Sequence, residues 1–151
     1  MTGQCFVDTD ILGYAYDRRE PVKQSRSRDL LDYLAQRDAG RISTQVLAEL
    51  FVAVTRPKSG PMLSAAEAYA ALENYLRSWT VVEVTGLIGL EAARGVRDHQ
   101  FSYFDAQIWA TARLHQIPLV LSEDFSTGAV IEGVRFLNPL DPAFAIADWV
   151  R

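Results

Sequence analysis

The sequence predicts an α/β fold, a three-layer α/β/α sandwich around a central parallel sheet of four to five strands. Three observations carry this expectation. Short apolar runs of strand length recur along the chain, and two of them end in polar clusters that hold two acidic residues each. One or two stretches with helical spacing of apolar residues separate each run from the next, which is the pattern of parallel crossover connections. Finally, 49% of the 151 residues are hydrophobic and 23% are charged, a balance that fits one core beneath polar helix faces. A single domain over 1–151 is expected.

The first strand is expected at Gln4 to Asp8 (QCFVD), halted by the polar Asp8-Thr9-Asp10, after which Ile11 to Tyr16 begin a helix. Pro21 opens a second helix because its fixed φ suits the first helical position. Leu30, Leu31 and Leu34 share one face of it, and Gly40 is expected to end it. Arg41 to Thr44 (RIST) reads as the second strand. Gln45 to Thr55 is apolar around most of its circumference, which suits a buried helix interrupted by Glu49 and punctuated by Pro57 to Pro61.

Ser64 and Glu67 have capping-box spacing, opening a helix whose inner face is marked by Leu72 and Leu76. Thr80 to Val84 reads as the third strand and Leu87 to Val96 as a helix. Ser102 starts another helix through Leu114, with Ile108 and Trp109 inward. Leu119 to Leu121 is a buried strand ending at Ser122-Glu123-Asp124, Val134 to Leu137 is a further strand, and Asp141 to Val150 is a terminal helix or an extended tail. No internal repeat or low-complexity stretch interrupts this order.

Composition excludes several classes of function. Cys5 is the only cysteine, so an intrachain disulfide and a cysteine-based zinc site are both ruled out, and a cytoplasmic setting is expected. No secretory leader or membrane span is expected, because no segment approaches about 18 consecutive apolar residues. The formal charge of −4 is unusual for a nucleic-acid enzyme. Setting aside four of the 19 acidic residues, however, leaves as many as the 15 Lys and Arg, so the excess acidity belongs to one site.

Those four are Asp8, Glu49, Asp105 and Asp124. In an open parallel sheet, ligands bind outside the carboxyl ends of the strands near the point where strand order reverses. Asp8 and Asp124 follow strands, Asp105 lies in the first turn of a helix, and Glu49 lies one turn into the helix after the second strand. Two carboxylates about 4 Å apart repel by about 4 kcal/mol at an effective dielectric near 20, so four together need a cation. Mg²⁺ or Mn²⁺ prefers such hard oxygen ligands, and one or two of them can activate water and orient a phosphodiester.

Each acid alone has a plainer explanation. Asp8, Thr9 or Asp10 caps a helix; Ser102 to Asp105 matches a capping box; Asp124 is an ordinary turn residue, and Glu123 beside it is an alternative ligand. Glu49 is harder to dismiss, since Leu47, Leu50, Phe51 and Val52 leave its helix little solvent-facing surface and burial would demand a partner. Arg56, Lys58, Arg94, Arg97 and Arg113 are candidates for guiding phosphates. Tyr103 and Phe104 are candidates for stacking an unpaired base, while Trp109 reads as core. His99, His115 and Cys5 fall in no acid–base, zinc or nucleophile pattern.

Phe6-Val7-Asp8-Thr9-Asp10-Ile11-Leu12, Ser43-Thr44-Gln45-Val46-Leu47-Ala48-Glu49-Leu50, Ser102-Tyr103-Phe104-Asp105-Ala106 and Leu121-Ser122-Glu123-Asp124-Phe125 together resemble the PIN-domain ribonucleases, particularly the toxins of VapBC toxin–antitoxin pairs. The likeness runs over nearly the whole chain and rests on the order of the four segments. It implies a PIN-like fold with Asp8, Glu49, Asp105 and Asp124 as metal ligands, and with helper groups that Thr9 and Ser122 supply. Where the family commonly has Asn two residues after the first Asp, this chain has Asp10, which either joins the metal or caps the helix. The resemblance further implies an RNA substrate, a homodimer, a cognate antitoxin that inserts a basic side chain among the acids, and arrest of translation by cleavage of structured RNA.

Two other functions compete. Asp8-Thr9-Asp10 after an apolar strand also resembles the nucleophile and acid of haloacid-dehalogenase-type phosphotransferases, although the only lysines available to hold phosphate are Lys23 and Lys58. A noncatalytic RNA-binding module is the other, and acids at all four places argue against it.

Overall fold

The computed structural model describes residues 3–56 and 60–151. Six strands, β1 (Cys5–Val7), β2 (Gly40–Ser43), β3 (Thr80–Val82), β4 (Leu119–Leu121), β5 (Val130–Ile131) and β6 (Val134–Leu137), form one sheet in the order β3-β2-β1-β4-β6-β5. All pairings are parallel except that of β5 with β6. Every residue of β1 and β4 is buried, as expected of central parallel strands covered on both faces.

Between β1 and β3 the chain forms α1 (Thr9–Tyr14), α2 (Pro21–Gln36), α3 (Thr44–Thr55) and α4 (Ala65–Ser78). Between β3 and β4 it forms α5 (Gly86–His99) and α6 (Tyr103–Leu114). The first two crossovers step outward from β1 and the third returns past it, so right-handed connections place the two helix groups on opposite faces. The packing agrees, with α1 against α2 and α3, α3 against α4, and α5 against α6, which itself meets β4 and β6. Phe6, Ile42, Trp109, Leu121 and Phe136 are among the large side chains fully enclosed at the centre.

Local chemistry explains most boundaries. Pro21 stands at the start of α2, and Ser64 and Glu67 form the expected reciprocal box: Glu67 N donates to Ser64 Oγ at 3.1 Å and Ser64 N to Glu67 Oε1 at 3.0 Å. Thr85 caps α5 by accepting from Ile88 N.

Other boundaries differ from the sequence expectation. The sheet has six strands, not four or five, because Val130–Ile131 folds back on β6 through Glu132-Gly133, both with positive φ (48° and 83°). This is the two-residue turn whose twist suits a hairpin. Helix α2 ends at Gln36, before Gly40, which instead opens β2, and the ring of Trp79 occupies the space that a Cβ on Gly40 would need. Leu76 is 60% exposed and Tyr75 takes the inward place on α4. β3 stops at Val82, and the C-terminal segment holds only a short 3₁₀ turn at Ile146–Asp148. Pro57 and Lys58 lie outside the described residues. No helix among the described residues is long and apolar enough to cross a membrane.

Candidate functional site

Strand order runs outward from β1 through β2 to β3 on one side and continues through β4 on the other. The crevice beyond the carboxyl ends of β1 and β4 is therefore the switch point of the sheet. Asp8 follows β1 immediately, and Ser122, Glu123 and Asp124 follow β4. Helices α3 and α6 begin at the same edge, α3 because it leaves β2 and α6 because it runs back toward the start of β4, and they bring Glu49 and Asp105.

Asp8, Asp10 and Asp124 each offer a carboxylate oxygen, and the three oxygens lie within 4.8 Å of one another. Asp8 is buried; its Oδ1 accepts from Thr9 N at 2.7 Å and its Oδ2 from Ser122 Oγ at 2.8 Å. The same Ser122 hydroxyl accepts from Asp124 N at 3.1 Å, so one buried serine orders both loops. Asp10 accepts from Ile11 N and Glu123 N, each at 2.8 Å, tying the loop after β1 to the loop after β4. On α3, Glu49 Oε1 accepts from Gln45 Nε2 at 3.0 Å and from Thr9 Oγ1 at 3.4 Å.

Burial pushes Asp8 up to about 6 despite the bonds from Ser122 and Thr9, and the charges of Asp124 and Glu49 add to the rise. Burial and then the charge of Asp8 push Asp10 up to about 8. Glu49 and Asp124 are also raised, first by desolvation and then by neighbouring acids, Asp105 among them in both cases. Asp105 and Glu49 thus lie within electrostatic reach of the group although they stand outside its tightest cluster. Among the described residues, no Lys or Arg forms an ion pair with Asp8, Asp10, Glu49, Asp105 or Asp124. An uncompensated set of hard oxygen donors fits a hard divalent cation.

Several sequence expectations change here. Glu49 is not buried; it and Val52 lie on an open side of α3. Ser102 makes no side-chain cap on α6, so the capping box that would have occupied Asp105 is not formed. Glu123 is committed elsewhere, accepting from Tyr14 Oη at 2.5 Å and Lys23 Nζ at 2.8 Å. Arg94 and Arg113 are held by Glu91 and Glu132, and Arg97 by Asp98, which removes them as free phosphate guides. Lys58 lies outside the described residues. Trp109 is core as expected, and burial pushes the Cys5 thiol up to about 12, far from a nucleophile.

Sequence reading missed Gln45. Its signal was its place four residues before Glu49 on one helix face.

Comparison with known proteins bears on the fold and the family. No curated protein sequence matches. Solved structures do: the sarcin–ricin-loop-cleaving toxin VapC20 of Mycobacterium tuberculosis is 20% identical, covering 85% of this chain and 98% of its own with a TM-score of 0.60. FitAcB of Neisseria gonorrhoeae is 20% identical over 91% of this chain and 99% of its own, with a TM-score of 0.65. DNA-bound VapBC of Salmonella typhimurium is 15% identical over 91% and 99%, with a TM-score of 0.65. At such identities the likeness shows the fold. The family model for the PIN domain matches residues 5–127, from the first residue of β1 past the loop that carries Asp124, and the chain therefore belongs to the PIN domain family.

Proposed function

We propose that this chain is a divalent-cation-dependent ribonuclease and the toxin of a VapBC-type toxin–antitoxin pair. The observation that carries the reading is the convergence of acids from separate segments: Asp8, Asp10 and Asp124 within one cation's reach, with Glu49 acting on the ionisation of Asp8 and Asp105 on that of Glu49 and Asp124. In this reading Asp8, Glu49, Asp105 and Asp124 ligate Mg²⁺ or Mn²⁺, Asp10 joins them, and Thr9 and Ser122 hold the donors in place.

A bound cation would supply charge stabilisation at the phosphodiester and acidify the attacking water. The chain's own residues do the positioning. Ser122 and the Thr9 amide fix the Asp8 carboxylate, while Gln45 and the Thr9 hydroxyl fix Glu49. Because Asp8 and Asp10 hold protons well above the ordinary carboxylate range, cation binding releases protons from the cluster.

The substrate is RNA, and a structured target follows the neighbour described as cleaving the sarcin–ricin loop. The antitoxin partner follows a neighbour described as a toxin–antitoxin complex from Klebsiella pneumoniae. An unpaired acidic cluster suits a basic side chain inserted by that antitoxin. Exposed Tyr69 and Leu76 on α4, and Leu87 and Leu90 on α5, leave apolar surface for the antitoxin and for a second copy in a homodimer. The chain acts in the cytoplasm as a single domain. The phosphotransferase rival loses support because Lys23 is engaged by Glu123 and the family match lies elsewhere.

Sequencing RNA 5′ ends after induced expression of wild type beside Asp8→Asn tests the reading. New ends and growth arrest with wild type, absent with Asp8→Asn and relieved by an adjacent small gene, support it. RNA binding without new ends would make the chain a noncatalytic module.

A further inference from the structure

Beside the acids, a cavity of about 380 Å³ opens between α3 and α6, lined among others by Thr44, Gln45, Glu49, Val84, Phe104 and Gln107. Two of its features do nothing for a cation. Phe104 is 62% exposed, with its ring set edge-on to Tyr103 at a centroid distance of 5.4 Å. An aromatic left in water on the first turn of a helix contributes nothing to the core. The second feature is Gln107, only 8% exposed.

The polarity of the Gln107 amide is fixed by a chain of bonds. Gln45 Nε2 donates to Glu49 Oε1 and to the Phe104 carbonyl, each at 3.0 Å. Both acceptors require a donor, so Gln45 must turn its oxygen toward Gln107, whose Nε2 donates to it at 2.9 Å. That orientation leaves Gln107 Oε1 as an acceptor, and no described residue donates to it. That oxygen still meets solvent at the cavity, since among the described residues Ser27 Oγ alone is a fully buried side-chain polar atom without a partner, and a ligand that brings an N–H can take the place of water there.

We propose that this cavity is a nucleobase subsite, in which an unpaired base next to the phosphate at the acids stacks on Phe104 and donates an N–H to Gln107 Oε1. The inference rests on the ribonuclease reading. The occupant is a base and not a phosphate, because an amide oxygen and the Glu49 carboxylate repel phosphate and Phe104 offers it nothing. Its volume lies at the small end of ligand sites, suited to one planar heterocycle. Glu49 lines the cavity and touches the acidic group electrostatically, so a base here is continuous with a backbone held there. An aromatic face joined to an edge-reading polar group is the usual means of recognising unpaired RNA bases.

The test uses short single-stranded RNAs that differ at one nucleotide beside the cut, including an abasic version and a 2-aminopurine version. Phe104→Ala, at an exposed position, is expected to raise KM about 10- to 100-fold, with Phe104→Trp restoring it. In EDTA, wild type quenches 2-aminopurine fluorescence on binding and Phe104→Ala does not. In EDTA, Gln107→Met weakens the preference among bases, and binding of the abasic RNA is insensitive to Phe104→Ala. Cleavage by wild type with KM and quenching unchanged in Phe104→Ala overturns the subsite alone. So does a Phe104→Ala defect confined to antitoxin binding, which would make the cavity a protein-docking site. Failure of wild type to bind or cut any RNA overturns the nuclease reading, and the subsite with it.

Discussion

The Ser122 hydroxyl donates to Asp8 Oδ2 at 2.8 Å from a position only 1% exposed, making a serine after one strand the anchor for an aspartate after another. Ser122→Ala should leave the fold intact, since it only removes an oxygen, but should destabilise the metal-free protein by about 1–3 kcal/mol for the unsatisfied group left behind. Cation affinity measured by titration calorimetry should fall about 10- to 100-fold, the range seen when groups supporting a ligand are removed. Wild-type affinity in Ser122→Ala would refute the anchoring role.

On the proposed ligand set, Asp8→Asn and Asp105→Asn should each lower Mg²⁺- or Mn²⁺-dependent RNA cleavage by at least about 10- to 100-fold, because each would remove charge facing the cation. Turnover of a labelled RNA at saturating cation is the measurement. Equal rates in both variants would place the chemistry elsewhere.

Stability without cation should fall as pH rises across the cluster. Asp8 is raised to about 6 and Asp10 to about 8 from an ordinary 3.8. Between these values the unfolded chain has already released protons that the folded one retains, so ionisation favours unfolding. The melting temperature in EDTA should therefore drop from about pH 4 to about pH 8, and the Mg²⁺-induced rise should grow over the same window. Asp10→Asn should flatten both trends; a pH-independent Mg²⁺ shift would contradict the assignment.

Glu132 acts in the opposite sense and at lower pH. Hydrogen bonds from Arg94 and His99 hold it down to about 2, so its stabilisation is present above the unfolded carboxylate range and fades as pH falls through about 2. Glu132→Asn, which tolerates the positive φ at this turn, should melt lower than wild type at neutral pH, with the gap closing in acid. A constant gap would mean that turn geometry, not charge, sets the effect.

Gly40→Ala should cost about 1–3 kcal/mol in urea unfolding, the usual penalty of overpacking, because the Trp79 ring already fills the space. Shortening the ring in Gly40→Ala/Trp79→Leu should recover part of the loss. Full stability of Gly40→Ala would show that Trp79 moves aside freely.

Much of the architecture was legible because its determinants are local. The apolar runs at Phe6-Val7 and Leu119 to Leu121 announce central strands, Pro21 and the Ser64–Glu67 pair announce helix starts, and aspartates placed after strands point to the switch edge. What escaped depends on partners distant in sequence. A two-residue strand at Val130–Ile131 carries no alternation to detect, and is defined only by its pairing with β6. The capping box at Ser102 had the right spacing but did not form, which left the Asp105 carboxylate without a helix-capping duty.

The site shows the same division. Asp8 and Asp124 were readable from their positions after strands, whereas the placement of Asp10 beside them depends on amides from Ile11 and Glu123, the latter more than a hundred residues away. Glu123 read as an equal alternative to Asp124 until Lys23 and Tyr14 turned it away. Gln45 links α3 to α6 through Glu49, Phe104 and Gln107, a relation that no single segment reveals.

The place of β4 in the sheet has a consequence for biosynthesis. It inserts between β1 and β6, yet it is made after all six helices, and Asp124 follows it. Until β4 and the loop after it are made, Asp8 and Asp10 lack both Asp124 and the Ser122 hydroxyl, so the tightest part of the acidic cluster is assembled only when residues 119–124 join the sheet.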